Sequence, residues 1–111
     1  MSKRTPLLLV GDIIDSGYKI LDYTNNLSFD DFINDSKTID AVIRNFEIIG
    51  EAANRLPEDF KQLHPHIDWH HIRGFRNRIV HEYFGIDYAI VWQIKNAFLP
   101  DLIKKLELLI V

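Results

Sequence analysis

Apolar residues recur every three or four positions along most of the chain, the spacing that lays one stripe along a helix. From Leu7 to about Tyr23 the stripe runs through Val10, Ile13 or Ile14, Gly17 and Leu21, with Asp12, Asp15 and Lys19 between them. Thr5-Pro6 supplies a start, with proline in the first turn where its missing N–H costs nothing. Gly17 weakens a helix by roughly 1 kcal/mol relative to alanine, so it predicts a place where another helix comes close. Ser28, with Asp31 three residues on, predicts the N-cap of a short helix ending near Asn34. The strongest pattern spans Ser36 to Leu56. Its stripe is Ile39, Val42 or Ile43, Phe46, Ile49 and Ala53, while Lys37, Asp40, Arg44, Glu47 and Glu51 fall largely elsewhere. Pro57 ends it, and Gly50, Ala52 and Ala53 would admit a close neighbour, which makes this the expected central packing element.

The second half is more broken. Pro57-Glu58-Asp59 opens a short helix to about Leu63, and Pro65 disfavours helix at His64, so His64 to Asp68 is a bent linker. Asp68 is a candidate N-cap for Trp69 to Arg73, which runs at Gly74 into a second helical stretch ending at Gly85, with Ile72, Phe75 and Ile79 on its buried side. Asp87 can cap the last helix, Tyr88 to about Ile110, which Pro100 should kink or split near Leu99. The apolar tail of Leu102, Ile103, Leu106, Leu109 and Ile110 requires a covering surface. No strand alternation, repeat or linker interrupts the series. The expectation is one all-α domain over residues 1–111, an up-and-down bundle of four to five principal helices.

Composition narrows the classes. With 47% apolar and 12% aromatic residues, 111 residues can bury one core. No apolar run approaches the roughly 20 residues of a membrane span, and the apolar stretch before Asp12 is too short for a signal peptide. Cysteine is absent, which excludes disulfides and thiolate zinc sites; the chain reads as intracellular, soluble and cytoplasmic. A net charge of −3 argues against indiscriminate nucleic-acid binding by the whole molecule. Residues 61–81, however, carry four basic residues, Lys61, Arg73, Arg76 and Arg78, against one acidic residue. That block could attract phosphate, or its cations could pair with acidic neighbours on a solvated face.

The same block holds the densest chemistry, Gly74-Phe75-Arg76-Asn77-Arg78-Ile79-Val80-His81-Glu82-Tyr83-Phe84. On a regular helix turning about 100° per residue, Arg76 and Tyr83 lie nearly in line and Asn77 and His81 share a neighbouring face. Arg76 and His81 then diverge by about 140°, so they meet on one phosphate only if the helix is distorted, if Arg76 curls across, or if two copies of the chain face each other across a shared groove. Other chemistries fit less well. His64 and His66 sit on a proline-broken linker and His70 and His71 point about 100° apart, which makes a poor metal site. Serines lack a nucleophile elbow, and the scattered glycines form no phosphate-binding loop. Histidine with arginine suits metal-independent cleavage of RNA. The 2′-hydroxyl is the nucleophile, so the protein has only to move protons and neutralise charge growing on the phosphate. Against this stands the plainer reading of His81 as a packed histidine and Arg76 as an ion-pair partner of Glu82 or Asp87.

Arg76-Asn77-Arg78-Ile79-Val80-His81-Glu82-Tyr83 fits the R-x4-H-x-Y signature and resembles the HepT-like ribonuclease toxins of the HEPN superfamily. The phrases from Ala41 to Pro57, His64 to Trp69 and Tyr83 to Trp92 resemble that family in the same order, so the likeness covers roughly Leu7 to Leu109. The resemblance implies a HEPN-like bundle that forms homodimers, and a toxin of the HepT/MntA type (type VII) of toxin-antitoxin system. It implies an endoribonuclease whose catalytic residues are Arg76 and His81, without cofactor or metal. It further implies an MntA-type nucleotidyltransferase antitoxin that transfers AMP to Tyr83. Beside these, Asn77 is expected to support the site by hydrogen bonding, and Arg73 and Arg78 to steer RNA. A non-catalytic module that binds a nucleotide or a nucleotidyltransferase partner is the alternative.

Overall fold

The computed structural model describes residues 5–81 and 85–110, with His81 through its backbone alone. Eight α-helices account for most of it: α1 (Pro6–Tyr23), α2 (Phe29–Ile33), α3 (Ser36–Arg55), α4 (Glu58–Leu63), α5 (Trp69–Arg73), α6 (Phe75–Ile79), α7 (Tyr88–Gln93) and α8 (Leu99–Glu107). The helix starts follow the capping signals in the sequence. Thr5 Oγ1 accepts from the Leu8 amide, Ser28 and Asp31 accept from each other's amides, and Asp68 and Asp87 carboxylates accept from His71 and Ile90 amides. Asp35 caps α3 in the same way, accepting from Thr38. Each such cap satisfies an amide that the helix itself leaves without a partner.

The long helix α3 is the centre of the bundle, with α1 along one side and α2, α5 and α6 against it elsewhere. Its stripe, Ile39, Val42, Phe46, Ile49 and Ala53, is buried, and Phe46 meets Phe75 of α6 edge to face at 5.4 Å between ring centroids. α8 covers the other flank of α1. There Gly17 lies so close to Ile103 that a β-carbon would come within 2.9 Å of its Cδ1, the close approach that a glycine in mid-helix predicts. Leu102, Ile103 and Leu106 of α8 are buried in the same core, so the apolar tail finds most of its cover within the chain.

Pro100 breaks the last helix as its ring requires. An α-helix here would drive the ring into the carbonyl of Asn96. Instead Ile94–Phe98 forms a π-helical segment closed by the Leu99 amide donating to the Ile94 carbonyl, and α8 then restarts with proline in its first turn.

One expectation fails. The helix predicted to run from Gly74 through Phe84 stops at Ile79. Val80 is extended (φ −104°, ψ 118°), and Val80–His81 (β1) pairs antiparallel with Gly85–Ile86 (β2), Val80 opposite Ile86 and His81 opposite Gly85. The Asp87 amide closes the hairpin onto the Ile79 carbonyl at 2.7 Å. Two features favour this over helix. Val80 and Ile86, which face each other in the pair, are β-branched, a class that loses side-chain freedom in helices and packs well in strands. Gly85 takes φ +77°, a left-handed conformation open to glycine and strained for other residues. Gly85 therefore closes a reversal of the chain rather than a helix, and the assignment of Asn77 and His81 to one helical face is withdrawn with it.

Candidate functional site

α5 and α6 are two short helices joined at Gly74, and both lean on α3. Gly50 of α3 makes room for them: a β-carbon there would sit 3.5 Å from the Arg73 carbonyl oxygen and 3.6 Å from that of Ile72. Beside this contact lies a cleft of about 280 Å³ lined by Glu47, Gly50, Glu51 and Asn54 of α3 and by Arg73, Arg76 and Asn77. Arg76 is exposed, and among the described residues its guanidinium makes no hydrogen bond or ion pair. It is not the ion-pair partner of Asp87, which was one of the two plain readings open to it. Arg73 is also exposed, its Nη2 at 3.5 Å from His70 Nδ1. Both arginines thus keep donors available to a ligand entering the cleft, and a guanidinium can grip two phosphate oxygens at once.

Arg78 behaves differently. Two residues beyond Arg76 on α6, it points to the other side of the helix, where Nη1 donates to His71 Nε2 at 2.6 Å and the side chain is half-buried. The His71 ring is packed between Phe75, at 5.6 Å, and Phe98, at 4.6 Å. Burial, and secondarily the Arg78 cation, hold the His71 pKa below its ordinary value, so the neutral imidazole accepts from Arg78. Arg78 is an anchor between α5 and α6 in this structure, not a cation lining the cleft.

His81 follows Arg76 by five residues and occupies the end of β1, where the helix has already unwound. The distortion that a convergence of Arg76 and His81 requires is therefore present in the backbone between them. The His81 side chain and Glu82, Tyr83 and Phe84 lie outside the described residues, and with them the Tyr83 modification site. Sequence reasoning placed Arg73, Arg76 and Asn77 together and missed the α3 wall. Glu47, Gly50, Glu51 and Asn54 recur at three- and four-residue spacing on α3, a polar stripe beside the apolar one, and that spacing was the available signal. No helix of the described residues is long and apolar enough to cross a membrane.

Comparison with known proteins bears on what such a cleft belongs to. No solved structure matches the chain. The chain is 40% identical to "Probable ribonuclease HepT" of Thermococcus cleftensis, over 95% of its own length and 96% of the relative's. It is 41% identical to a Methanocaldococcus jannaschii protein named "Putative RNase", over 96% of this chain and 88% of the other. A third relative, from Caldanaerobacter subterraneus and also named "Putative RNase", is 34% identical over 94% of this chain and 93% of its own. The family model described as Ribonuclease HepT-like matches residues 13–109, and with relatives of this identity over nearly full length the chain belongs to the HepT-like ribonuclease family.

Proposed function

We propose that the protein is the toxin of a HepT/MntA-type (type VII) toxin-antitoxin pair, an endoribonuclease that works without a metal through Arg76 and His81. The observation that carries the reading is Arg76: exposed, without a protein partner among the described residues, in a cleft, and five residues ahead of His81 at a helix-to-strand break. In the proposed reaction a ribose 2′-oxygen attacks the adjacent phosphorus and the bond to the 5′-oxygen breaks, leaving a 2′,3′-cyclic phosphate and a 5′-hydroxyl. His81 transfers the proton, and Arg76 holds two phosphate oxygens as charge grows on them. Asn77 supports the phosphate by hydrogen bonding and Arg73 steers RNA into the cleft. Arg78, engaged with His71, adds to the field at longer range. A homodimer would bring a second Arg76 and His81 to the groove. Tyr83, two residues from His81, is the proposed acceptor of AMP from an MntA-type nucleotidyltransferase; phosphate added there would compete for the anion site.

RNA incubated with the purified protein in excess chelator tests the reaction. Cyclic-phosphate ends are expected, with the rate falling about 10²–10³-fold on Arg76→Ala, the scale for loss of one charge-stabilising donor, and at least as far on His81→Ala. Full activity in both variants removes the assignment. Mass spectrometry after co-expression with the partner gene should place adenylate on the Tyr83 peptide; adenylate on another peptide removes that element alone.

A further inference from the structure

A second, larger opening adjoins the Arg76 cleft. It measures about 490 Å³ and is lined from α4 by Glu58, Lys61 and Gln62, from the linker by Pro65 and Asp68, and from α5 by Trp69, His70 and Arg73. Arg73 lines both openings, so one chain of ligand can run from the first into the second past a shared cation. The walls of the second opening are fixed. The Trp69 indole N–H donates to the His64 carbonyl at 3.1 Å, which ties the linker to α5, and the Phe60 ring lies 6.2 Å from Trp69.

The side chains in this opening form an unusual set. Lys61 is only 9% exposed, and its ammonium pairs with Glu58 at 3.6 Å, itself 76% exposed. A lysine on a surface helix normally keeps its charge in water; here it lies along the floor of a cavity. The two carboxylates are already engaged, Glu58 by Lys61 and Asp68 by the His71 amide. What is left open to a ligand is the exposed His70 ring, the edge of Trp69, the Gln62 amide and the Arg73 fork. Trp69 is buried apart from that edge, so the stacking face is the exposed His70 ring; beside an amide and a guanidinium it suits an unstacked nucleobase with its phosphate, rather than a bare phosphate.

We infer that this opening is a nucleotide subsite, which takes an unstacked base of the same RNA strand whose scissile phosphate lies at Arg76, with Arg73 on the phosphate between them. The inference rests on the ribonuclease reading for the identity of the ligand, and it can fail separately. In a Trp92→Phe background Trp69 is the sole tryptophan. Titration with a ten-nucleotide RNA, in chelator, should quench its emission saturably, and His70→Ala with Gln62→Ala should raise the Kd about tenfold, the scale of one lost base stack. In cleavage assays the same pair should raise KM by a similar factor and change kcat by less than twofold. RNA that binds, by anisotropy of a labelled strand, with Trp69 emission unchanged overturns the subsite. So does a double variant that binds as tightly as its parent, or one that loses kcat alone. If RNA is bound and quenches Trp69 but is never cut, the subsite stands and the nuclease reading falls. If Arg76→Ala abolishes cleavage while RNA leaves Trp69 unaffected, the reverse holds. Absence of any RNA binding removes both.

Discussion

His71 shows how one side chain can serve structure while its neighbour, His70, lines an opening. Its ring is enclosed by Phe75 and Phe98 and accepts a hydrogen bond from Arg78, and both facts favour the neutral form. Its folded pKa therefore lies below the unfolded value of about 6.5. Above that pH the imidazole is neutral in both states and nothing is lost. As pH falls below it, the unfolded chain takes up the proton first, so folding stability declines until the folded pKa is passed. Urea midpoints measured from pH 7.5 down to 5.5 should fall, and His71→Gln, which keeps an acceptor for Arg78 but cannot take up a proton, should flatten that fall. An unchanged pH dependence in the variant would show that His71 is not its source. Arg76 is the contrast: no described residue holds its guanidinium, and its replacement should cost activity with little loss of stability.

The helices were most legible where apolar spacing and a capping residue coincided, as in α1, α2, α5 and α7; α4, α6 and α8 start without a side-chain cap. Ser28, Asp68 and Asp87 all cap as expected, and Gly17 marks the contact of α1 with α8. That contact yields a prediction at the level of the element. Gly17→Leu should favour α1 by intrinsic propensity yet lower stability by about 1–3 kcal/mol through overpacking against Ile103. Denaturation by urea, with an unchanged or raised midpoint as the contrary result, decides it. Phe46→Ala should cost more, about 3–5 kcal/mol, and should also loosen the seat of α6, which Phe75 shares with it. Activity falling further than the unfolded fraction explains would show that α3 positions Arg76. The break after Ile79 was the part not legible. The pattern of Ile72, Phe75 and Ile79 fits a helix, and Gly85 reads equally as a helix stop or as the end of a hairpin. Pairing of Val80–His81 with Gly85–Ile86, closed by the Asp87 amide on the Ile79 carbonyl eight residues back, decides the matter, and such pairing leaves no periodicity to read.

At the scale of the molecule, a chain of net charge −3 carries a net positive charge over residues 61–81 and places two of that block's cations, Arg73 and Arg76, at adjoining openings. Attraction of RNA should then be local and sensitive to salt: KM should rise between 50 and 200 mM salt by about the first power of salt for each phosphate contacted, more steeply in the parent than in Arg73→Ala. Equal slopes would take Arg73 off the path. The proposed shared groove has its own test. Arg76→Ala and His81→Ala proteins, each inactive alone, should recover part of the activity when unfolded and refolded together, if one protomer's arginine serves the other's histidine. No recovery in refolded mixtures would place both residues of a working site in one chain.

Gly50 sets the width of this cleft without contributing a charge. Its hydrogen faces the carbonyls of Ile72 and Arg73, so the separation of α3 from the arginine-bearing wall is set by the size of whatever stands at that position. Alanine fits at contact distance; serine, then valine, would lever the two walls apart in steps. A chain bearing the larger residue would hold a wider mouth with every arginine still in place.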